Sequence, residues 1–170
     1  KKKEKIWSYG PNTNNLYEKI LKYGNRNSTS ASIVRKSFLN RFKISFNEKN
    51  SFVTCEDYCF FLDIAYFQGR FLYLDEPLGT HRFHSKSYSY NKKKHYKSGK
   101  EVIKHHVFKI QSFEPNKEKL WSLINDNLLI KETFFNFLNL YTKKENLISF
   151  IKLLINKPFK TINYILSLFF

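Results

Sequence analysis

The stretch Thr54-Cys-Glu-Asp-Tyr-Cys-Phe-Phe-Leu-Asp-Ile-Ala-Tyr-Phe-Gln-Gly-Arg-Phe-Leu-Tyr-Leu-Asp-Glu-Pro-Leu78, continued by Thr80-His-Arg-Phe-His84, governs how this chain is read. An acidic pair, Glu56-Asp57, opens a run in which Phe60, Phe61, Ile64 and Phe67 recur at helical spacing, so a helix is predicted from about Cys55. Gly69 is expected to close it, because glycine accepts the left-handed backbone of a helix C-terminus. Apolar Phe71–Leu74 predicts a short strand, turned by Asp75-Glu76-Pro77. Helix, strand and turn would then bring two carboxylates near His81, Arg82 and His84. Such an arrangement suits activation of a hydroxyl beside an anionic leaving group.

Each of these residues also has a purely structural reading. With Thr54 as N-cap, Glu56 and Asp57 fall in the first helical turn, where negative charge is favoured, and Asp57 completes a variant capping box. Asp75 and Glu76 read equally well as turn residues, and His81, Arg82 and His84 as exposed loop residues.

Outward from this unit, a short strand is expected around Ile6–Tyr9, ended by Gly10-Pro11. Asn14–Tyr23 predicts a helix with Leu16, Ile20 and Leu21 on one face, stopped by Gly24-Asn25. The small, hydroxyl-rich run Asn27–Val34 becomes strand-like at its end, Arg35–Asn40 predicts a helical turn, and Phe42–Phe46 a short strand or extended segment. Ser85–Lys97 is polar, aromatic and basic, and predicts a loop. Beyond it the pattern is helical, over about Ser98–Phe113, Asn116–Ile130, Lys131–Tyr141 and Lys143–Asn156, with a last segment after Pro158; Ser98 and Glu101 have capping-box spacing. The expected organisation is α/β over residues 1–95 and a helical extension over 96–170.

Composition narrows the chemistry. The chain has 170 residues, 42% of them apolar, with 18 phenylalanines, which is enough for a folded core. Its net charge of +16 favours polyanionic partners: nucleotide phosphates, nucleic acid or anionic lipid headgroups. The charge is shared between the two halves, with local clusters at Lys1–Lys5 and Asn91–Lys94. Cys55 and Cys59 lie four apart on the predicted helix, so neither a disulfide nor, without a Cys-x-x-Cys pair, a zinc site is expected. A reducing compartment follows most simply. No signal peptide or bilayer-spanning apolar run is visible; Leu147–Phe170 is broken by Lys152, Lys157, Pro158 and Lys160. The absence of methionine leads to the expectation that the chain begins inside a longer polypeptide.

Taken in order, Ser28-Thr29-Ser30 leading into Arg35-Lys36, then Phe46, Glu56-Asp57, Gly69, Tyr73–Leu78 and Arg82-Phe83-His84 resemble the C-terminal half of an inverting, GT-A-type family 2 glycosyltransferase, the kind that builds bacterial surface polysaccharides. The likeness covers about Asn25–Ser89. It implies that Asp57 is the general base on the acceptor hydroxyl and that Glu56 positions that base or the acceptor. Ser28, Thr29 and Ser30 would border the donor sugar. Arg82 would face the leaving diphosphate, and His84 the phosphate or its metal. The helix N-terminus would keep Asp57 ionised while weakening it as a base. The resemblance also implies Mg²⁺ or Mn²⁺, a nucleotide-sugar donor and a glycan or lipid-linked acceptor. The Asp-x-Asp motif that holds the metal in such enzymes is absent from this sequence, so the donor half is expected upstream.

The tail adds a partner expectation. Glu145, Ser149, Lys152 and Asn156 recur at helical spacing opposite Ile148, Ile151 and Ile155. That stripe either packs on a neighbouring element or lies on an anionic membrane, consistent with a cytoplasmic enzyme held at the inner face of the cell membrane. Tyr88, Tyr90, His95 and Tyr96 among lysines would suit base stacking, the basis of the alternative reading as a non-catalytic module on nucleic acid or membrane. No nucleic-acid motif accompanies them, and nucleic acid is not the expected partner.

Overall fold

A computed structural model describes residues 15–74, 76, 78–79, 91–110, 116–140 and 144–166. It overturns the α/β expectation: the described residues form seven α-helices and no strand. In chain order these are α1 (Leu16–Tyr23), α2 (Lys36–Phe42), α3 (Glu56–Tyr66), α4 (Lys92–His105), α5 (Lys117–Leu140), α6 (Lys144–Asn156) and α7 (Pro158–Leu166). Short 3₁₀ turns occupy Thr29–Ala31 and Asn50–Phe52, and a π-turn, His106–Ile110, follows α4. The chain divides into two compact units, Lys1–Gln111 and Ser112–Phe170.

The predicted strands fail for one reason. A strand requires a neighbour to complete its hydrogen-bond ladder, whereas side-chain alternation requires only a surface to lie on. In 71–74, Phe71 and Tyr73 are half-buried while Leu72 and Leu74 are 87% and 70% exposed, yet no ladder forms. Residues 32–35 are likewise irregular, with Ile33 fully exposed. Phe42 closes α2, Lys43 turns left-handed (φ 52°) and Ile44 drops into the core without pairing. The strand expected at Ile6–Tyr9 lies outside the described residues.

The first unit is built on α3. Phe60, Phe61 and Ile64 join Ile44 in a cluster flanked by Val34, Phe38, Leu39, Phe42 and Phe71. Phe46 stacks on Phe60 with ring centroids 4.4 Å apart, and Phe42 on Phe67 at 4.8 Å. On the side of α1, the predicted face is buried through Leu16, Ile20 and Leu21, and Tyr58 Oη donates to the Ile20 carbonyl at 2.8 Å. α4 begins six residues earlier than the expected Ser98 start, with Asn91 as a side-chain N-cap accepting from the Lys94 N–H at 3.1 Å. Residues 92–97 are therefore helix rather than loop, and Ser98 is buried inside α4 instead of capping it.

The end of α3 also corrects the expectation. Gln68, not Gly69, takes the left-handed conformation, with φ 58°. The Gln68 N–H reaches the Ala65 carbonyl at 3.1 Å and the Gly69 N–H the Ile64 carbonyl at 2.9 Å, the paired bonds of a Schellman stop. Glycine is needed at 69 for space. A Cβ there would sit 2.5 Å from Ile64 Cγ2 and 2.9 Å from the Ile64 carbonyl oxygen. Gly69→Ala is expected to cost about 1–3 kcal/mol through overpacking, whereas Gln68→Gly should stabilise by up to about 1 kcal/mol by removing the Cβ penalty. Urea unfolding midpoints measure both.

The second unit packs α5, α6 and α7 around Ile124, Ile130, Phe134, Phe150 and Leu153. Phe137 stacks on Phe150 at 4.4 Å, and Phe134 meets Tyr164 edge-on at 5.9 Å. The two helices expected over 116–141 are one helix of 24 residues, since neither glycine nor proline interrupts it. Pro158 starts α7 at the helical position it tolerates best.

Asp126 of α5 ties down the start of α7, pairing with Lys157 and, at 2.8 Å, with Lys160. Partial burial pushes its carboxyl up, but the two ammonium groups outweigh this and hold it below the usual carboxylate range. A depressed folded value stabilises the unit above the unfolded value of 3.8, and that stability fades as pH falls through the folded value. Asp126→Asn should therefore lower the thermal midpoint at neutral pH by an amount equivalent to about 0.5–1 kcal/mol. Its difference from wild type should vanish in acid, as read by circular dichroism.

Candidate functional site

Glu56 and Asp57 sit in the first turn of α3, but the cap differs from the sequence reading. The N-cap is Cys55 (φ −137°), without a side-chain capping bond, and Thr54 stands one residue earlier with φ 84°. No capping box with Thr54 forms. Asp57 Oδ1 instead accepts the Tyr58 N–H at 2.7 Å. For a β-branched residue, Thr54's backbone conformation is strained, by on the order of 1–3 kcal/mol.

His95 of α4 holds this strained turn. Its Nδ1 lies 3.1 Å from the Thr54 carbonyl oxygen, 3.3 Å from Thr54 Oγ1 and 3.4 Å from Cys55 Sγ, while Cys55 Sγ donates to the His95 carbonyl at 3.4 Å. The imidazole is thus engaged by the turn before the carboxylate pair rather than presented for base stacking.

Burial raises the Asp57 carboxyl above its ordinary value. The Tyr58 N–H and the charge of His95 pull it back, Glu56 pushes it up, and the net direction is upward. The expectation of a base weakened by the helix terminus is reversed: desolvation outweighs the terminus, and a raised carboxyl is a stronger base once ionised.

The remaining predicted residues are placed as follows. Ser28, Thr29 and Ser30 form an exposed stretch around the first 3₁₀ turn, where Ser28 Oγ and Ser30 Oγ are 2.9 Å apart and Ser32 Oγ donates to the Ser28 carbonyl at 2.7 Å. Glu76 is exposed. Asp75, His81, Arg82 and His84 lie outside the described residues. The implied Mg²⁺ or Mn²⁺ demands a set of oxygen ligands, and no Asp-x-Asp is present to supply it. The residues present do not fit that ion, and no step is assigned to it.

A second constellation lies further along the same helix. Cys59 and Asp63, one turn apart on α3, face His106 at the start of the π-turn. His106 is fully buried and Cys59 nearly so. Cys59 Sγ lies 3.7 Å from His106 Nε2 and 3.9 Å from Asp63 Oδ2, and His106 Nε2 is 3.6 Å from Asp63 Oδ1. On the other side of the ring, His106 Nδ1 meets Tyr17 Oη of α1 at 3.3 Å. Burial pushes the thiol up to about 12 and the carboxyl up to about 6, and holds the imidazole down at about 3. Both cysteines are free. The signal available in the sequence was Cys-x₃-Asp at helical spacing, which a search for paired cysteines passes over; nothing local pointed to His106.

No protein-family model matches the chain, and no curated protein or solved structure matches it.

Proposed function

We propose that this chain carries the acceptor-activating part of an inverting glycosyltransferase. The enzyme moves a sugar from a nucleotide-sugar donor to a glycan or lipid-linked acceptor in surface polysaccharide or glycolipid synthesis. The carrying observation is the ordered run from Ser28-Thr29-Ser30 through Glu56-Asp57 to Arg82-x-His84. Two structural facts support it. Asp57 is half-buried with its carboxyl raised, and the turn before it is strained yet held by His95.

In this mechanism an acceptor hydroxyl gives its proton to Asp57 as its oxygen attacks the anomeric carbon. The bond from that carbon to the nucleotide diphosphate breaks on the opposite face, inverting the centre. Glu56 orients the acceptor or the base, and Arg82 offsets charge on the departing diphosphate. The test is transfer from a nucleotide sugar by the full-length protein carrying Asp57→Asn: loss of transfer with donor binding retained supports the assignment, and normal turnover sinks it.

An anionic membrane surface is the proposed location of the reaction, and a specific feature favours it. Ile148, Ile151, Ile155, Phe159, Ile162 and Leu166 recur at helical spacing across α6 and α7 and are all exposed, Phe159 at 82%. The residues that α6 buries are Phe150 and Leu153 instead. Among the described residues, no helix is long and apolar enough to cross a membrane, so the stripe suits lying along one.

A further inference from the structure

The Cys59, Asp63 and His106 group serves no step of the proposed reaction, and its geometry is unusual for a set of hydrogen bonds. A buried imidazole and carboxylate that bond directly close to about 2.7–3.2 Å. Here they stand 3.6 Å apart, with the thiol sulfur 3.7 and 3.9 Å from the same two groups. All three ligand atoms lie within 4.8 Å of one another. Sulfur, nitrogen and oxygen held tetrahedrally around zinc, at bond lengths of about 2.3, 2.0 and 2.1 Å, are separated by roughly 3.4–3.6 Å. The edges from His106 Nε2 to Cys59 Sγ and to Asp63 Oδ1, 3.7 and 3.6 Å, exceed these by only a few tenths of an ångström, and the 3.9 Å approach of the sulfur is to the second carboxylate oxygen, Oδ2.

We propose that Cys59 Sγ, Asp63 Oδ and His106 Nε2 form a binding site for a zinc ion. Four features argue for this metal class. Thiolate, imidazole and carboxylate together are a borderline-soft set that suits zinc and not magnesium or calcium. One thiolate and one carboxylate balance the charge of a divalent ion in a buried place. His106 turns its Nδ1 toward Tyr17 Oη at 3.3 Å, so an Nδ1–H donated there would leave Nε2 for the metal. The π-turn that begins at His106 widens the backbone there, a feature frequent at functional sites.

On binding, the Cys59 thiol, and the Asp63 carboxyl where protonated, release their protons to solvent. The three protein ligands leave a fourth position for water. Access is from the Asp63 side, whose side chain is 18% exposed while that of His106 is not exposed at all. The ion would join α3 to the turn after α4, on the helix that carries Asp57. The site stands independently of the glycosyl-transfer reading.

The test uses the 170-residue chain stripped with chelator and titrated with Zn²⁺ and with Co²⁺. One equivalent should bind, Zn²⁺ should raise the unfolding temperature, and Co²⁺ should give thiolate-to-cobalt charge-transfer absorption. Cys59→Ser should abolish that absorption, whereas Cys55→Ser should keep it. Tyr17→Phe, which removes the hydroxyl facing His106 Nδ1, should weaken affinity by about 10–100-fold. Absence of the absorption in the wild-type chain, or its persistence in folded Cys59→Ser, would overturn the site. Loss of transfer in Asp57→Asn leaves these readouts unchanged, so failure of one proposal is distinguishable from failure of the other.

Discussion

Asp57→Asn is expected to reduce sugar transfer by about 10²–10⁴-fold, the usual contribution of a positioned general base. The amide keeps the size of the side chain and its bond from the Tyr58 N–H, so α3 should persist and donor binding should change little. Asparagine cannot accept the acceptor's proton, and the loss should therefore fall on kcat. Glu56→Gln should cost less, because that residue orients rather than accepts. The pH profile provides a second check. Burial raises the Asp57 carboxyl above 3.8, so the acid limb of the rate should lie above the ordinary aspartate range and disappear in the Asn variant. Thr54→Gly should separate stability from activity: relief of the φ 84° strain raises the unfolding midpoint, while loss of the fixed turn lowers transfer. If the chain were only a binding module, Asp57→Asn would leave a steeply salt-dependent affinity for nucleic acid intact.

The second large effect is expected at the apolar stripe of the tail. Ile155→Asp combined with Phe159→Asp should weaken partition onto vesicles containing an anionic phospholipid by 10²-fold or more. Each side chain contributes about 1.5–3 kcal/mol when withdrawn from water, and tenfold corresponds to about 1.4 kcal/mol. Both side chains are largely exposed, at 72% and 82%, so their replacement should leave the α5–α7 core folded. Lys152→Glu should weaken binding to anionic vesicles but not to neutral ones, since a lysine near such a surface is worth about 1 kcal/mol. Sedimentation with vesicles measures both variants. Unchanged binding of the double variant would remove the membrane from the proposal.

The legibility of the sequence followed the range of the interactions involved. The buried face of α1 could be read directly, because Leu16, Ile20 and Leu21 share a helical side whatever the rest of the chain does. The start of α3 was legible to within a residue, but its cap was not, since Thr54 takes a positive φ and meets His95, 41 residues away. Phe71–Leu74 misled because an extended, alternating segment looks the same with or without a ladder. The tail stripe was legible as a pattern, whereas its exposure was not, because Phe150 and Leu153 took the packing role in α6.

The sequence by itself determined the helices whose apolar positions repeat locally, the acidic pair at the head of α3, and the basic charge that suits an anionic partner. Only the tertiary structure decided that the extended segments pair with nothing among the described residues. It also raised the carboxyl of Asp57 and brought His106 to Cys59 and Asp63. Helix periodicity is written within a few turns of chain. Burial, strand pairing and ligand convergence depend on residues tens of positions apart, and are settled only when the chain closes on itself.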